Sequence, residues 1–444
     1  MKRHKRRPEQ LDLLPYVGRW LLLSAAVAVL AGSASAILLL SLDWVTAIRE
    51  GHRWLVWGLP LAGFLVGWIY LKVGHGVEAG NNLLIDEVHD PKKVVPLRMA
   101  PLILISTVVS HLFGASVGRE GTAVQMGGAL ADQFTHVFKM TAEDRRILLM
   151  AGISAGFASV FGTPLAGAVF GLEVLVIGRL RYDALLPCLI AAVVANQVTD
   201  LWGVRHTHYH AGIMPGITVL TLCAVVLAGI VFGLVGMLFA EATHAASAFM
   251  KKRIAYAPLR PLLGGLAIAA LIWFGGAWRY AGLGIPSIVE AFQKPAAPWE
   301  FAAKLGLTVA SLGSGFKGGE VTPLFYIGAT LGNALAPLLQ LPFPMLAALG
   351  FVAVFAGAAN TPLACMLMAM ELFGSEIGVF AAVACVVSYL FSGHTGIYKS
   401  QRVGHSKHRH LPEGLKLGEV PAFRHQQRSG RLDTTVTPTS HQDH

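Results

Sequence analysis

Glu120 is an ionisable residue set between glycines, in the stretch Gly114-Ala-Ser-Val-Gly-Arg-Glu-Gly-Thr-Ala-Val-Gln-Met-Gly-Gly128, where one apolar run ends and another helix-like segment begins. Inside a membrane, a carboxylate beside a broken helix is a functional site by default, able to trade protons or to compete with an anion. Two further glycine-broken stretches stand with it: Gly80-Asn81-Asn82 and Gly315-Phe-Lys-Gly-Gly-Glu-Val-Thr-Pro323. Glycine lets backbone N–H groups approach a ligand closely. A helix that begins after such a turn presents unpaired donors and the positive end of its dipole. Several helix starts aimed at one point make an anion site without a full cation, and such a site can release its ion, as transport requires. The Glu120 carboxylate could sit in the anion's own cradle and leave on protonation or displacement. The plainer alternative is a loop carboxylate paired with Arg119 or Arg98.

The elements around these residues must be membrane helices. Of the 444 residues, 54% are hydrophobic and only 14% charged, which excludes a string of soluble domains. Apolar runs long enough for a span of roughly 20 residues recur, at 20–42, 55–71, 217–239 and 344–370, whereas 99–113 and 302–313 are too short, as re-entrant segments are. The net charge of +10 sits largely in Lys2-Arg-His-Lys-Arg-Arg7 and in a tail from Lys399 through His405-Ser-Lys-His-Arg-His410 to Arg431. That distribution argues for two cytoplasmic termini and against a nucleic-acid surface. The first apolar run reads as an uncleaved membrane helix. Cys188, Cys223, Cys365 and Cys385 lie in apolar runs without metal or disulfide spacing and read as buried helix residues. The histidines of the tail read as a solvated surface. No metal, nucleotide or prosthetic group is implied.

The chain also repeats itself. Gly152-Ile-Ser-Ala-Gly-Phe-Ala-Ser-Val-Phe-Gly-Thr-Pro-Leu-Ala166, followed by Glu173, matches Gly350-Phe-Val-Ala-Val-Phe-Ala-Gly-Ala-Ala-Asn-Thr-Pro-Leu-Ala364, followed by Glu371. Gly118-Arg-Glu-Gly-Thr122 answers Gly318-Gly-Glu-Val-Thr322, and Ala79-Gly80-Asn81-Asn82-Leu83 pairs with Ala281-Gly282-Leu283-Gly284-Ile285. Repeats in transporters place the site where they meet. The organisation expected is a basic segment 1–14, membrane repeats 15–212 and 213–398, and a polar tail 399–444.

Gly118-Arg-Glu-Gly121, the glycine-rich stretch ending in Thr322-Pro323, the late Tyr398 and the two-repeat layout together resemble the CLC family of chloride channels and anion/proton antiporters. The resemblance covers about residues 16–398. It implies an all-α polytopic membrane protein of two inverted structural repeats with broken and re-entrant helices. It also implies a homodimer with one anion pathway per subunit, in a bacterial plasma membrane, and Glu120 as the external gating glutamate, with Gly118, Arg119, Gly121 and Thr122 around it.

Departures from the family pattern narrow the resemblance. Gly80-Asn81-Asn82-Leu83-Leu84 replaces Gly-Ser-Gly-Ile-Pro, Thr122 stands where proline usually follows the Gly-Arg-Glu-Gly block, and Gly319-Glu320-Val321-Thr322-Pro323 replaces Gly-x-Phe-x-Pro. Val174 falls where the chloride antiporters carry their inner proton-handling glutamate. This set is similar to the fluoride-exporting branch, so the expected activity is fluoride/proton antiport, with chloride transport on the same fold as the alternative. Fluoride holds its water tightly, so a pore that strips it needs several strong donors: Asn81 or Asn82, Val321 at a helix start, and the hydroxyls of Thr322 and Tyr398. Each has an ordinary alternative, since asparagine after glycine is a turn residue and Thr322 could cap a helix. Glu320 either supports proton movement and orients Thr322 or pairs with Lys317. Glu173 and Glu371, being symmetric, read as structural. Gly282-Leu-Gly-Ile-Pro286 looks like an anion motif but reads as the structural repeat partner of the Gly80 stretch. A membrane enzyme using Glu120 as general base lacks a clustered His/Asp partner or metal-ligand set.

Overall fold

The computed structural model describes residues 9–429; the cluster Lys2 to Arg7 and Arg431 lie outside them. The first half runs through α1 (Glu9–Gly51), α2 (Leu59–Val73), α3 (Asn81–His89), α4 (Met99–Leu112), α5 (Glu120–Phe138), α6 (Ala142–Phe161), α7 (Pro164–Glu173) and α8 (Leu185–Leu201). The second half runs through α9 (Val219–Arg253), α10 (Leu259–Phe274), α11 (Ile285–Ala291), α12 (Glu300–Ser314), α13 (Val321–Leu339), α14 (Phe343–Ala359), α15 (Pro362–Phe373) and α16 (Gly378–Phe391). A short α17 (Val420–Arg428) follows. Long first helices, short third helices of nine and seven residues, equal-length α5 and α13 and short α7 and α15 recur in the same order. Among the described residues five segments, including those at α1, α9 and α13, are long and apolar enough to cross a membrane. α1 and α9 turn exposed leucines outward, including Leu22 and Leu220, as lipid-facing surfaces do.

Backbone contact explains the glycine-rich repeats. A Cβ on Gly127 of α5 would lie 2.3 Å from the Gly152 carbonyl of α6, and one on Gly328 of α13 would lie 2.0 Å from the Gly350 carbonyl of α14. The two helix pairs therefore touch backbone to backbone, as small residues allow in membranes. Gly127 and Gly328 hold the same helical position, so the structural match runs one residue away from the sequence match: Glu120 corresponds to Val321, and Arg119 to Glu320.

Three expectations need correction. The apolar run 344–370 is not one span: α14 ends at Asn360, in the left-handed region at φ 59°, and Pro362 restarts the chain as α15. The segment beyond 399 is not merely a polar tail. Val403 pairs in parallel with Ile177, joining strands β1 (Val176–Ile177) and β2 (Arg402–Val403), and Leu411, Leu417 and Val420 are buried with them. Cys223 is exposed on α9, while the other three cysteines are buried.

Candidate functional site

The loops ahead of α5 and α13 meet as an antiparallel bridge. Gly118 N–H donates to Gly319 O at 2.5 Å and Gly319 N–H to Gly118 O at 2.7 Å. A Cβ on Gly118 would stand 2.9 Å from Gly319 O and from Glu120 Oε2, so only glycine permits this approach. Consequently the starts of α5 and α13, one from each repeat, converge where their dipoles favour negative charge.

Glu120, the first residue of α5, is fully buried, and its carboxylate lies across that meeting point. Oε2 accepts from Thr322 N–H at 3.0 Å and from Arg119 N–H at 3.1 Å. Oε1 accepts from the Thr322 hydroxyl and lies 3.6 Å from Arg119 Nε. Thr322 thus does not cap its own helix; it serves the opposite repeat. Arg98 plays no part, since its guanidinium donates to the His75 carbonyl at 2.5 Å. Val321 is the buried first residue of α13.

Asn81 and Glu320 come together on the other side of this point. The position of a Cβ on Gly121 would be 3.0 Å from Asn81 Nδ2 and 3.5 Å from Glu320 Oε2. Asn81 Oδ1 and Glu320 Oε2 are both buried without a hydrogen-bond partner from the protein, which leaves them open to an ion, a proton or water. The Asn82 side-chain oxygen is engaged, accepting from Ser400 N–H at 2.9 Å. The Thr122 hydroxyl is engaged by Thr107 Oγ1 at 2.7 Å, away from the carboxylate. Lys317 does not pair with Glu320; its ammonium sits 4.1 Å from the centre of the Tyr70 ring.

Tyr398 is held by the preceding turn, where Ile397 N–H donates to Ala358 O at 2.9 Å. With Asn81, Val174, Phe170 and Ile153 it lines an apolar cavity of about 10 Å³. It also lines a cavity of about 300 Å³ shared with Asn81, Asn82, Gln125 and Glu320. Beyond Glu120, a vestibule of about 710 Å³ is walled by Arg49, Arg53, Arg119, Arg205 and Arg279, with Asp43 and Glu50. The Glu120 carboxylate therefore stands between a basic vestibule and the Asn81–Glu320–Tyr398 cluster. Gly282-Leu-Gly-Ile-Pro286 borders the vestibule, and the Gly282 carbonyl accepts from the buried Lys304 at 2.7 Å. Sequence reasoning missed the loop 202–218, which brings His206, Thr207 and Tyr209 over Glu120. Alternation of polar and aromatic residues in Arg205-His-Thr-His-Tyr-His210 was the available signal.

Opposed helix starts, a buried carboxylate between them and cavities to either side define a polytopic membrane protein built from broken helices. Residues 62–393 match the family model described as voltage gated chloride channel. A protein of Pseudomonas syringae pv. tomato named chloride/fluoride channel protein is 67% identical over 439 residues, 97% of each chain. The crystal structure of a CLC-type fluoride/proton antiporter superposes with a TM-score of 0.85 at 36% identity, covering 87% of this chain and 98% of that one. A slow cyanobacterial Cl⁻/H⁺ antiporter shares the fold, with a TM-score of 0.74 at 20% identity, covering 93% and 99%. The chain belongs to the voltage gated chloride channel (CLC) family, whose members are channels and transporters, and it has that family's all-α fold of two inverted repeats.

Proposed function

We propose that this protein is a fluoride/proton antiporter that exports fluoride from a bacterial cell, driven by proton inflow across the plasma membrane. The observation that carries this reading is the seat of Glu120: its carboxylate occupies three donors, Thr322 N–H, the Thr322 hydroxyl and Arg119 N–H, that would serve a small anion equally well. Protonation weakens the carboxylate's hold on those donors and frees them for fluoride. Return of the carboxylate expels the anion. One group thereby links proton uptake to anion movement.

Asn81, Thr322 and Tyr398 bound the fluoride path in this reading, with the starts of α5 and α13 supplying N–H donors. Glu320 takes the part of a second proton-handling carboxylate, since Val174 has no proton to carry. Its buried, unpartnered Oε2 beside Asn81 supports that role. The names of the 67% and 36% identical proteins both include fluoride and support the choice of ion. The working unit is a homodimer with both termini cytoplasmic, in keeping with the basic termini.

The test is flux from proteoliposomes of the purified protein, loaded separately with fluoride and with chloride and monitored for protons. Fluoride efflux accompanied by proton uptake is expected. Chloride efflux faster than fluoride overturns the selectivity, and fluoride efflux without proton movement overturns the coupling. Glu120→Gln is expected to abolish coupled exchange, because the amide does not exchange a proton near neutral pH. Normal coupling in Glu320→Ala would remove Glu320 from the mechanism.

A further inference from the structure

Between the basic vestibule and Glu120 lies a chamber of about 20 Å³, lined by Arg119, Glu120, His206, Thr207, Tyr209 and Thr322 among its polar walls. That volume is about right for one water. Val160, Phe161, Ile288, Phe325, Phe351 and Leu372 close the rest of it with apolar surface. Among the described residues only Arg119, His206, Thr207 and Ile285 line both the chamber and the 710 Å³ vestibule. Arginine keeps its proton throughout the biological range, and threonine and isoleucine have none to exchange. An imidazole is the one group of the four that takes up and releases protons near neutral pH.

We propose that His206 is the proton relay between the vestibule and the Glu120 carboxylate.

The ring's placement is built into the fold. α6 ends at Gly162 in the left-handed region, φ 73°, and a Cβ there would stand 2.8 Å from His206 Cδ2. The imidazole therefore lies on bare backbone. Its Nε2 is buried without a hydrogen-bond partner, 3.9 Å from Asp200 Oδ1. The charged and titratable groups around it are Arg119, which disfavours its cation, Asp200, which favours it, and the neighbouring His208. Burial is the largest influence and, with Arg119, lowers the imidazole's pKa, so the resting ring is a neutral acceptor. The ring also has a hydrogen bond to the Val160 backbone, so the unpartnered Nε2 is the nitrogen that exchanges. Nε2 takes up a proton from vestibule water and passes it through one intervening water to a Glu120 oxygen, leaving neutral imidazole and carboxylic acid. One proton moves from vestibule to Glu120, and no other bond changes.

This rests on the antiport reading, and the experiment separates the two. Wild type, His206→Ala and His206→Gln are compared in proteoliposomes for fluoride flux, proton flux and their ratio, across pH on the vestibule side. Both variants are expected to slow coupled exchange on the order of 10-fold or more at neutral pH, with an unchanged fluoride-to-proton ratio and a pH–rate profile that has lost its histidine limb. Added imidazole is expected to restore the rate in His206→Ala and leave wild type unaffected. Wild-type rates and pH profile in both variants overturn the relay while leaving antiport standing. A loss that imidazole does not relieve, and that His206→Gln does not share, marks a packing role and also overturns it. Absence of proton movement in wild type overturns both readings.

Discussion

Glu173 and Glu371 each cap the helix that carries the other, across the two repeats. The Glu173 carboxylate, at the end of α7, accepts from Leu363 N–H at 3.0 Å and Ala364 N–H at 2.8 Å in the first turn of α15. The Glu371 carboxylate, in α15, accepts from Leu165 N–H at 2.9 Å and Ala166 N–H at 2.9 Å in the first turn of α7. Neither Thr163 nor Thr361 caps its own helix with its side chain. The repeated Thr-Pro-Leu-Ala block is therefore half of a reciprocal lock, with each glutamate closing the other repeat's helix start. Glu173→Ala strands one buried and one part-buried donor and is expected to cost about 2 kcal/mol. The check is a lowered unfolding temperature in detergent, with fluoride transport retained by the folded fraction. Glu371, more exposed, is expected to show the smaller effect.

Asn81 and Asn82 are adjacent in sequence and have different partners. Asn81 Nδ2 stands beside Gly121 and Glu320, whereas Asn82 holds Ser400. Removing one hydrogen bond to the ion is worth about 1 kcal/mol, roughly a fivefold loss. Asn81→Ala is thus expected to raise the fluoride concentration for half-maximal transport by about fivefold. Asn82→Ala is expected to leave that concentration unchanged and to loosen the segment after Tyr398. Concentration dependence of fluoride flux reads the first effect, and limited proteolysis of the C-terminal segment the second.

Gly80 immediately precedes Asn81 and has φ 59°, ψ −128°, a conformation that side chains with a Cβ avoid. A Cβ there would also stand 3.2 Å from both Gln125 amide heteroatoms. Gly80→Ala is expected to cost about 1–3 kcal/mol of strain and to move Asn81, so fluoride flux falls. Gly76, at φ 81° with nothing within 4 Å of its would-be Cβ, is the control. Gly76→Ala is expected to carry strain without the transport defect, and flux assays on the two variants side by side decide the matter.

Much of this organisation was legible before any coordinates. Glycine punctuation around Glu120 and Glu320 marks helix starts because a backbone bridge such as Gly118–Gly319 tolerates no Cβ. The repeat was legible because both halves pack α5 on α6 and α13 on α14 through glycine. Its register was not: glycine- and alanine-rich stretches match equally well one residue out of step, and Glu120 thereby matched Glu320 where the helices place Val321. The packing of residues beyond 399 was hidden because only scattered apolar side chains, Val403, Leu411, Leu417 and Val420, anchor it. The alternating histidines of 205–210 mark the loop, but His206's proximity to Glu120 was hidden because it comes from a long-range loop contact. The break at Asn360 was masked by apolar residues on both sides.

The docked C-terminal segment also supplies a pH test. Lys407 N–H donates to His394 Nε2 at 3.0 Å, which requires a neutral imidazole on that nitrogen. Burial, with the charge of Lys407 nearby, lowers the His394 pKa from 6.5 to about 4. Because the undocked ring binds a proton that the docked ring refuses, docking is fully favoured above pH 6.5 and weakens as pH falls toward 4. The Lys407 side chain is anchored beside it on the Asn360 side-chain oxygen at 2.6 Å and the Tyr389 carbonyl at 2.5 Å. Proteolytic cleavage within residues 404–420 is expected to accelerate from pH 7 to pH 5 in wild type. In His394→Gln, whose amide oxygen accepts from Lys407 N–H without titrating, the rate is expected to stay flat. A parallel acid-induced acceleration in that variant would assign the effect to groups other than His394.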